Sequence, residues 1–302
     1  MKFAFICPGQ GSQKVGMGQD FYENSDLAKN YFNSANEILG TDIQSIMFEG
    51  PGERLKQTRY TQPALYILSV IIGTLILEKG LKPVAAAGHS LGEYSAYALA
   101  GALDYETGLK LVKVRAESMQ KAGEESPGTM AAIIGLQDDA ISKITEKAAG
   151  IVVAANFNSP GQIVISGEIT AVEEAMTLAK EGGARLVKRL NVSGAFHSPL
   201  MSSALDTLAE MIDSIEIMDA MIPVYSNVSA MPITNAVEIR SAMVRQLDHP
   251  VLWSRTISNM ANDQVDHFME VGSGCVLQGL CKRIDRTVKT SGIENWKQLQ
   301  DV

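Results

Sequence analysis

Cysteine is scarce: Cys7, Cys275 and Cys281 are the only three, with no Cys-x-x-Cys pair. A disulfide-stapled secreted domain is therefore excluded, and a reducing, cytoplasmic setting is expected. Histidine is nearly as rare, with four residues and no His-x-x-x-His spacing, so no metal site is expected. Positive charge is in deficit, 26 Lys and Arg against 34 Asp and Glu, for a formal net charge of −8. That balance argues against a nucleic-acid partner. Long apolar runs are missing too. The longest, Ala64 to Leu77, carries Ser69, Gly73 and Thr74 and is too short to span a bilayer. It reads as a buried helix with Pro63 in its first turn and Glu78-Lys79-Gly80 at its end. The opening run Phe3 to Cys7 stops at Pro8-Gly9, short of a signal-peptide core, so no membrane partner is expected. There is no internal repeat and no low-complexity tract. Pro8 to Gln13 is glycine-rich, but Lys14 stands where a dinucleotide fingerprint needs its third glycine, and Walker A spacing is absent. No nucleotide cofactor is expected. What remains there is a compact loop able to aim a backbone N–H and the Gln10 amide at something anionic.

What is present is an ordinary globular composition, 46% hydrophobic and 20% charged, in 302 residues. That length suffices for one large domain or two modest ones. Lys2 to Cys7 reads as a buried strand, and Asp20 to Phe48 as weakly patterned helix. A strand at 84–87, a helix at 91–100 and a helix from an Asp104 N-cap to Lys121 follow. Residues 128–190 change character. Strand 130–136, helix 138–149, strands 151–155 and 163–166, helix 170–181 and strand 185–190 give the order βαββαβ, with Asn158-Ser159-Pro160-Gly161 as the turn between the middle strands. That is the order of a ferredoxin-like unit. Strand 223–228, helix 237–247, strand 265–271 and a last helix ending at Cys281-Lys282-Arg283 complete the reading. The expected fold class is α/β. A large α/β-hydrolase-like domain with a parallel central sheet (1–124 and 192–302) carries an inserted small ferredoxin-like domain (125–191).

The most informative stretch is Val84-Ala85-Ala86-Ala87-Gly88-His89-Ser90-Leu91-Gly92-Glu93, small apolar residues running into Gly-x-Ser-x-Gly before a helix. This is the pattern of a strand turning sharply into a helix with a serine at the apex. Ser90 would project from the carboxyl end of a parallel sheet, at a helix N-terminus that favours developing negative charge.

A serine hydroxyl needs a base to act as nucleophile. His89 is adjacent in the chain and should point away from the turn. His267 lies inside a strand, and His249 precedes Pro250 at a helix end, where a capping role suffices. His197, in a glycine-containing loop after the small unit, is the preferred candidate. No aspartate is placed as a third member, so a backbone carbonyl would orient the imidazole. Arg115 lies off the charged face formed by Lys110, Lys113, Glu117 and Lys121, among Leu111, Val112 and Met119. A guanidinium so placed needs a partner: either a structural one in the core or an anionic ligand.

Beyond these readings, the chain resembles the malonyl-CoA:acyl carrier protein transacylases of fatty acid and polyketide synthesis over essentially its full length. Pro8-Gly9-Gln10-Gly11 is similar to the family's opening loop, and Gly88-His89-Ser90-Leu91-Gly92-Glu93 to its elbow. Val114-Arg115-Ala116, 25 residues past the serine, resembles its malonate-holding arginine segment. Asn156 to Gln162, Gly194-Ala195-Phe196-His197, Arg245-Gln246-Leu247 and Glu270-Val271-Gly272 extend the match. Ser273 stands where proline is usual, and Cys275 replaces a common basic residue.

The resemblance implies a Ser90–His197 dyad with a covalent malonyl-serine intermediate. It implies an oxyanion hole from the backbone N–H groups of Gln10 and Leu91, and the Gln246 carbonyl orienting the histidine. Arg115 would grip the malonate carboxylate. Malonyl-CoA and acyl carrier protein would be the partners of a monomer that needs no cofactor of its own. Lys188-Arg189 or Lys282-Arg283-Arg286 would offer basic ground for an acidic carrier protein. The alternatives are a serine esterase or thioesterase-type hydrolase, and a non-catalytic subunit that only docks carrier protein.

Overall fold

The computed structural model describes residues 2–302. Strand β1 (Phe3–Cys7) leads through the Gln10 loop to α1 (Gln19–Asn24), α2 (Asp26–Leu39), α3 (Ile43–Phe48) and α4 (Gly52–Leu55). Next come α5 (Thr58–Glu78), β2 (Ala85–Gly88), α6 (Gly92–Leu99) and α7 (Tyr105–Glu125). The second unit is β3 (Gly128–Ile134), α8 (Asp138–Lys147), β4 (Val152–Ser159), β5 (Gln162–Glu168), α9 (Ile169–Glu181) and β6 (Leu186–Arg189). A 3-10 turn at Pro199–Met201 opens α10 (Ser202–Ser214), followed by β7 (Val224–Tyr225), β8 (Pro232–Ile233) and α11 (Ala236–Arg245). The chain closes with α12 (Trp253–Asn262), β9 (His267–Val271), α13 (Val276–Ile284), β10 (Lys289–Ile293) and α14 (Trp296–Gln300).

The fold is mixed α/β. One sheet has the order β10-β9-β1-β2-β7-β8, parallel from β10 to β7, with the β7–β8 pair antiparallel. All residues of β1, β2 and β9 are buried, as expected for strands covered on both faces. The second sheet, β4-β5-β3-β6, is antiparallel throughout. Its element order is the one expected from the sequence, and its own apolar layer includes Ile133, Ile141, Ile165 and Val172. The turn between β4 and β5 is shorter than expected, only Pro160-Gly161, because β4 runs on to Ser159. Strand β4 also joins the first unit: Phe157 N–H donates to the Val251 carbonyl, and Val251 N–H to the Ala155 carbonyl, both at 2.9 Å.

Two expectations are corrected. Helix α5 starts at Thr58, which leaves Pro63 inside it rather than in the first turn. The Thr61 hydroxyl, bonded to the Leu55 carbonyl at 2.5 Å, ties the extra N-terminal turn to α4. At 21 residues this helix is long and apolar enough to cross a membrane, yet 78% of its most apolar window is buried inside the molecule. Strand β7 covers only Val224–Tyr225 of the expected 223–228, and the next residues leave the sheet for the site described below. Asp104 caps α7 as expected, accepting from Thr107 N–H at 2.8 Å.

Candidate active site

Gly88 and Gly92 make the turn after β2 possible. A Cβ on Gly88 would stand 1.9 Å from the Gly92 carbonyl carbon, and one on Gly92 would stand 2.0 Å from the Cys7 carbonyl oxygen. Neither position tolerates a side chain. Between them Ser90 is held at φ 52°, a left-handed conformation that a non-glycine residue adopts only under constraint. The constraint is Asn227, just beyond β7. Its amide donates to the Gly88 carbonyl and accepts from Ser90 N–H, both at 2.7 Å, clamping the two sides of the elbow.

His197, also left-handed at φ 57°, places Nε2 2.7 Å from Ser90 Oγ. Its Nδ1 faces two carbonyl oxygens, Gln246 at 3.0 Å and His249 at 3.1 Å. Two acceptors on one side require Nδ1 to carry the proton, which leaves the Nε2 lone pair facing the serine. Burial, then the nearby Arg115 charge, lowers the His197 pKa to about 3. The imidazole is therefore neutral at physiological pH.

Arg115 is 1% exposed. Its Nη1 donates to Gln62 Oε1 at 2.6 Å, and Nη2 to Ser90 Oγ at 3.1 Å and Gln246 Oε1 at 3.0 Å. The guanidinium sits 5.2 Å from the centre of the Tyr94 ring. Its contacts are neutral oxygens and a ring face; no carboxylate pairs with it directly among the described residues. Burial lowers its pKa from the ordinary value, against the opposing pull of Tyr94 and Glu93.

These groups open on a cavity of about 110 Å³, roughly three to four water volumes, walled by Met119, Met130 and Phe196 and reached by Gln10, Ser90 and Leu91. No hydrogen bond from the Gln10 or Leu91 backbone N–H to a protein acceptor occurs among the described residues. The Gln10 side chain lines the cavity and reaches Thr58 Oγ1 at 3.5 Å. The other histidines are engaged elsewhere. His89 Nε2 pairs with Asn158 at 2.8 Å, and His267 Nε2 pairs with Ser291 on the neighbouring strand at 2.8 Å. The His249 ring pairs with Asp248; the residue caps no helix, since α11 ends at Arg245, and it contributes its carbonyl to His197.

The acyl transferase domain family matches residues 4–297. The chain is 43% identical over 297 residues to the malonyl CoA-acyl carrier protein transacylase of Bacillus subtilis, covering 97% of this chain and 94% of the relative. It is 44% identical over 295 residues to the protein of that name in Escherichia coli K12, covering 97% and 96%. Among solved structures, an acyl carrier protein S-malonyltransferase from Vibrio cholerae superposes with a TM-score of 0.96 at 43% identity, covering 100% and 99% of the two chains. A malonyl-transacylase in complex with its type II PKS acyl-carrier protein matches with a TM-score of 0.96 at 40% identity, covering 99% and 98%. The chain belongs to the malonyl CoA-acyl carrier protein transacylase family.

In this family member the structure brings together Ser90, His197, Arg115, Gln246, Gln10 and Leu91, all singled out in the sequence. Three further residues of the acyltransferase site were not read there: Gln62, Glu93 as a buried acceptor, and Asn227. Glu93 is part of the elbow motif, but nothing in its neighbours marks it as buried. Asn227 lay hidden in a segment expected to be strand, and Gln62 in the run-up to an expected helix start. No group of three or more His, Cys, Asp or Glu residues able to hold a metal occurs among the described residues.

Proposed function

We propose that this acyltransferase moves a malonyl group from malonyl-CoA to the phosphopantetheine thiol of acyl carrier protein through malonyl-Ser90. The observation that carries this reading is Ser90 Oγ held between His197 Nε2 and Arg115 Nη2 in a small, partly open cavity. In the first half, Ser90 Oγ attacks the thioester carbonyl while its proton passes to His197 Nε2. The Gln10 and Leu91 N–H groups receive the oxyanion. CoA leaves as a thiol, taking the proton from His197. In the second half the carrier thiol gives its proton to His197, attacks the Ser90 ester and departs as malonyl thioester, while His197 returns the proton to the released Ser90 Oγ. The Gln246 and His249 carbonyls stabilise the imidazolium formed in each half.

Arg115 is read as the carboxylate clamp. Its present partners at Nη2 are neutral oxygens, and a charged carboxylate is the better acceptor for a buried guanidinium. That requirement disfavours a hydrolase of neutral esters, for which a buried arginine beside the nucleophile has no purpose. No resident cofactor enters the scheme, and we read the protein as a monomer acting in the cytoplasm. We read residues 1–124 and 192–302 as an α/β-hydrolase-like domain and 125–191 as an inserted ferredoxin-like one. For carrier docking we propose the exposed Lys282, Arg283 and Arg286 with Lys188. Arg189 is less suited, because it is already paired with Glu173 at 3.0 Å.

The test is the fate of the acyl group. Protein loaded with radiolabelled malonyl-CoA and then given holo acyl carrier protein should pass label to the carrier much faster than to water. Release mainly as free malonate, with no carrier labelling, would return the hydrolase reading.

A further inference from the structure

Glu93 lies three residues after the nucleophile in the first turn of α6, 1% exposed. Its Oε1 accepts from the Tyr97 hydroxyl at 2.8 Å and from Asn227 N–H at 3.1 Å. Its Oε2 accepts from Gln246 Nε2. The same Gln246 nitrogen donates to the Ser90 carbonyl at 2.9 Å, so both amide hydrogens are committed. The amide oxygen is thereby left facing Arg115 Nη2 at 3.0 Å. An ionised carboxylate has no donor, so each group turned toward it must donate. Together with the acceptor-only Ser90 carbonyl, this sets the orientation of an amide that could otherwise be turned end for end.

We infer that Glu93 is a positioning residue: by accepting from the Gln246 amide it directs that amide's oxygen at Arg115 and so sets the guanidinium that selects a carboxylate-bearing acyl group. The inference rests on the function proposed above. The Glu93→Gln change is nearly isosteric yet breaks the chain of donors. The new carboxamide oxygen would stay with Tyr97 and Asn227, and its NH2 would meet the NH2 of Gln246. Turning Gln246 over relieves that clash but sets its NH2 against Arg115 and its oxygen against the Ser90 carbonyl. Either way at least one buried pair is left opposed, and the Gln246 oxygen is no longer held on Arg115 by an acceptor-only neighbour of its NH2 group.

Protonation of Glu93 has the same effect, because a carboxylic acid can donate. Burial raises its pKa to about 7. The other ionisable groups facing it are Tyr94 and Tyr97 from its own helix and Arg115 from α7. Burial keeps both tyrosines protonated. Arg115 stays charged throughout, and the free carboxylate of the substrate is ionised well below pH 7. Glu93 is thus the group whose titration the malonyl-to-acetyl preference should follow.

The experiment measures Ser90 acylation by malonyl-CoA and by acetyl-CoA from pH 5.5 to 8.5, expressed as the ratio of the two kcat/KM values. The proteins are wild type, Glu93→Gln and Glu93→Asp. Wild type is expected to lose preference as pH falls through about 7. Glu93→Gln is expected to show a ratio lower by about tenfold or more at pH 8 and no pH dependence, with KM for malonyl-CoA raised. Glu93→Asp, which keeps an acceptor-only side chain, should regain part of the ratio and its pH dependence. A folded Glu93→Gln protein with the wild-type ratio at every pH overturns the inference. If that variant does not fold, a wild-type ratio that stays constant from pH 5.5 to 8.5 overturns it instead. A wild type that forms no malonyl adduct overturns the proposed function itself, a result distinguishable from either.

Discussion

At the scale of single residues, the site depends on a charge held without a direct counter-ion. Arg115 donates to two amide oxygens and to the nucleophile, and a substrate carboxylate would replace the weakest of these acceptors. Replacing it with alanine should lower malonyl acylation by about 30- to 150-fold, the equivalent of roughly 2–3 kcal/mol for a buried charge-assisted pair. Acetyl acylation should hold or improve, since no carboxylate is present to miss the arginine. Arg115→Lys should recover only part of the malonyl rate, because an ammonium cannot reproduce the planar two-nitrogen fork. An unchanged malonyl-to-acetyl ratio in folded Arg115→Ala protein would make the residue structural.

His197 supports a pH prediction. Its folded pKa near 3 lies below that of an ordinary histidine, so the neutral base persists as pH falls. Acetyl-CoA acylation, which does not use Arg115 as a clamp, should therefore show no acidic limb near pH 6.5 between pH 5 and 8; a limb there would mean the imidazole titrates normally. His197→Ala should slow acylation by several decades, whereas loss of the His89 or His267 ring should cost far less in folded protein. Ser90, His197 and Arg115 were legible in the sequence because each has a local mark: flanking glycines, a glycine-containing loop, and an arginine among apolar helix neighbours. Glu93, Gln62 and Asn227 have no such mark. Their roles are defined by which amide end meets which partner, and that is decided only when four separate segments converge.

At the scale of elements, the helices behind the elbow are packed without slack. On α7, a Cβ at Gly108 would come 2.0 Å from the Tyr66 hydroxyl of α5. That hydroxyl also donates to the Tyr105 carbonyl at 3.1 Å. Gly108→Ala should therefore destabilise the fold by about 1–3 kcal/mol despite alanine's better helix propensity, read as a lower midpoint in thermal or denaturant unfolding. A stability equal to or above wild type would show that the α5–α7 contact can relax. The long buried strands and α7 were readable from apolar runs and an N-cap. The edge strand β10 (Lys-Thr-Ser-Gly-Ile) was not, since its residues are polar or flexible and become a strand by pairing with β9. Helix α10 does carry a readable mark, since Ala204, Leu208 and Ile212 recur at four-residue spacing on its buried face.

At the scale of the whole molecule, the groups of the proposed active site come from widely separated parts of the chain. The Gln10 loop follows β1 and the elbow follows β2, both at the carboxyl end of the parallel sheet. His197 enters after the antiparallel unit, and Gln246 follows α11. The second sheet supplies Met130 and Asn156 to the cavity, and is hydrogen-bonded to the first unit through Ala155, Phe157 and Val251. The order of its elements was legible because strand and helix periods alternate cleanly there; its docking was not, because it depends on backbone pairing with a distant loop. The proposed transfer turns on one covalent bond, between the malonyl group and Ser90. Wild type and Ser90→Ala, incubated with malonyl-CoA, quenched in acid and analysed by intact mass and peptide mapping, test it most directly. The predicted result is one malonyl group on wild type, located on Ser90 and discharged by holo acyl carrier protein, with none on folded Ser90→Ala. A malonyl group on another residue, or one that persists in Ser90→Ala, would contradict the account.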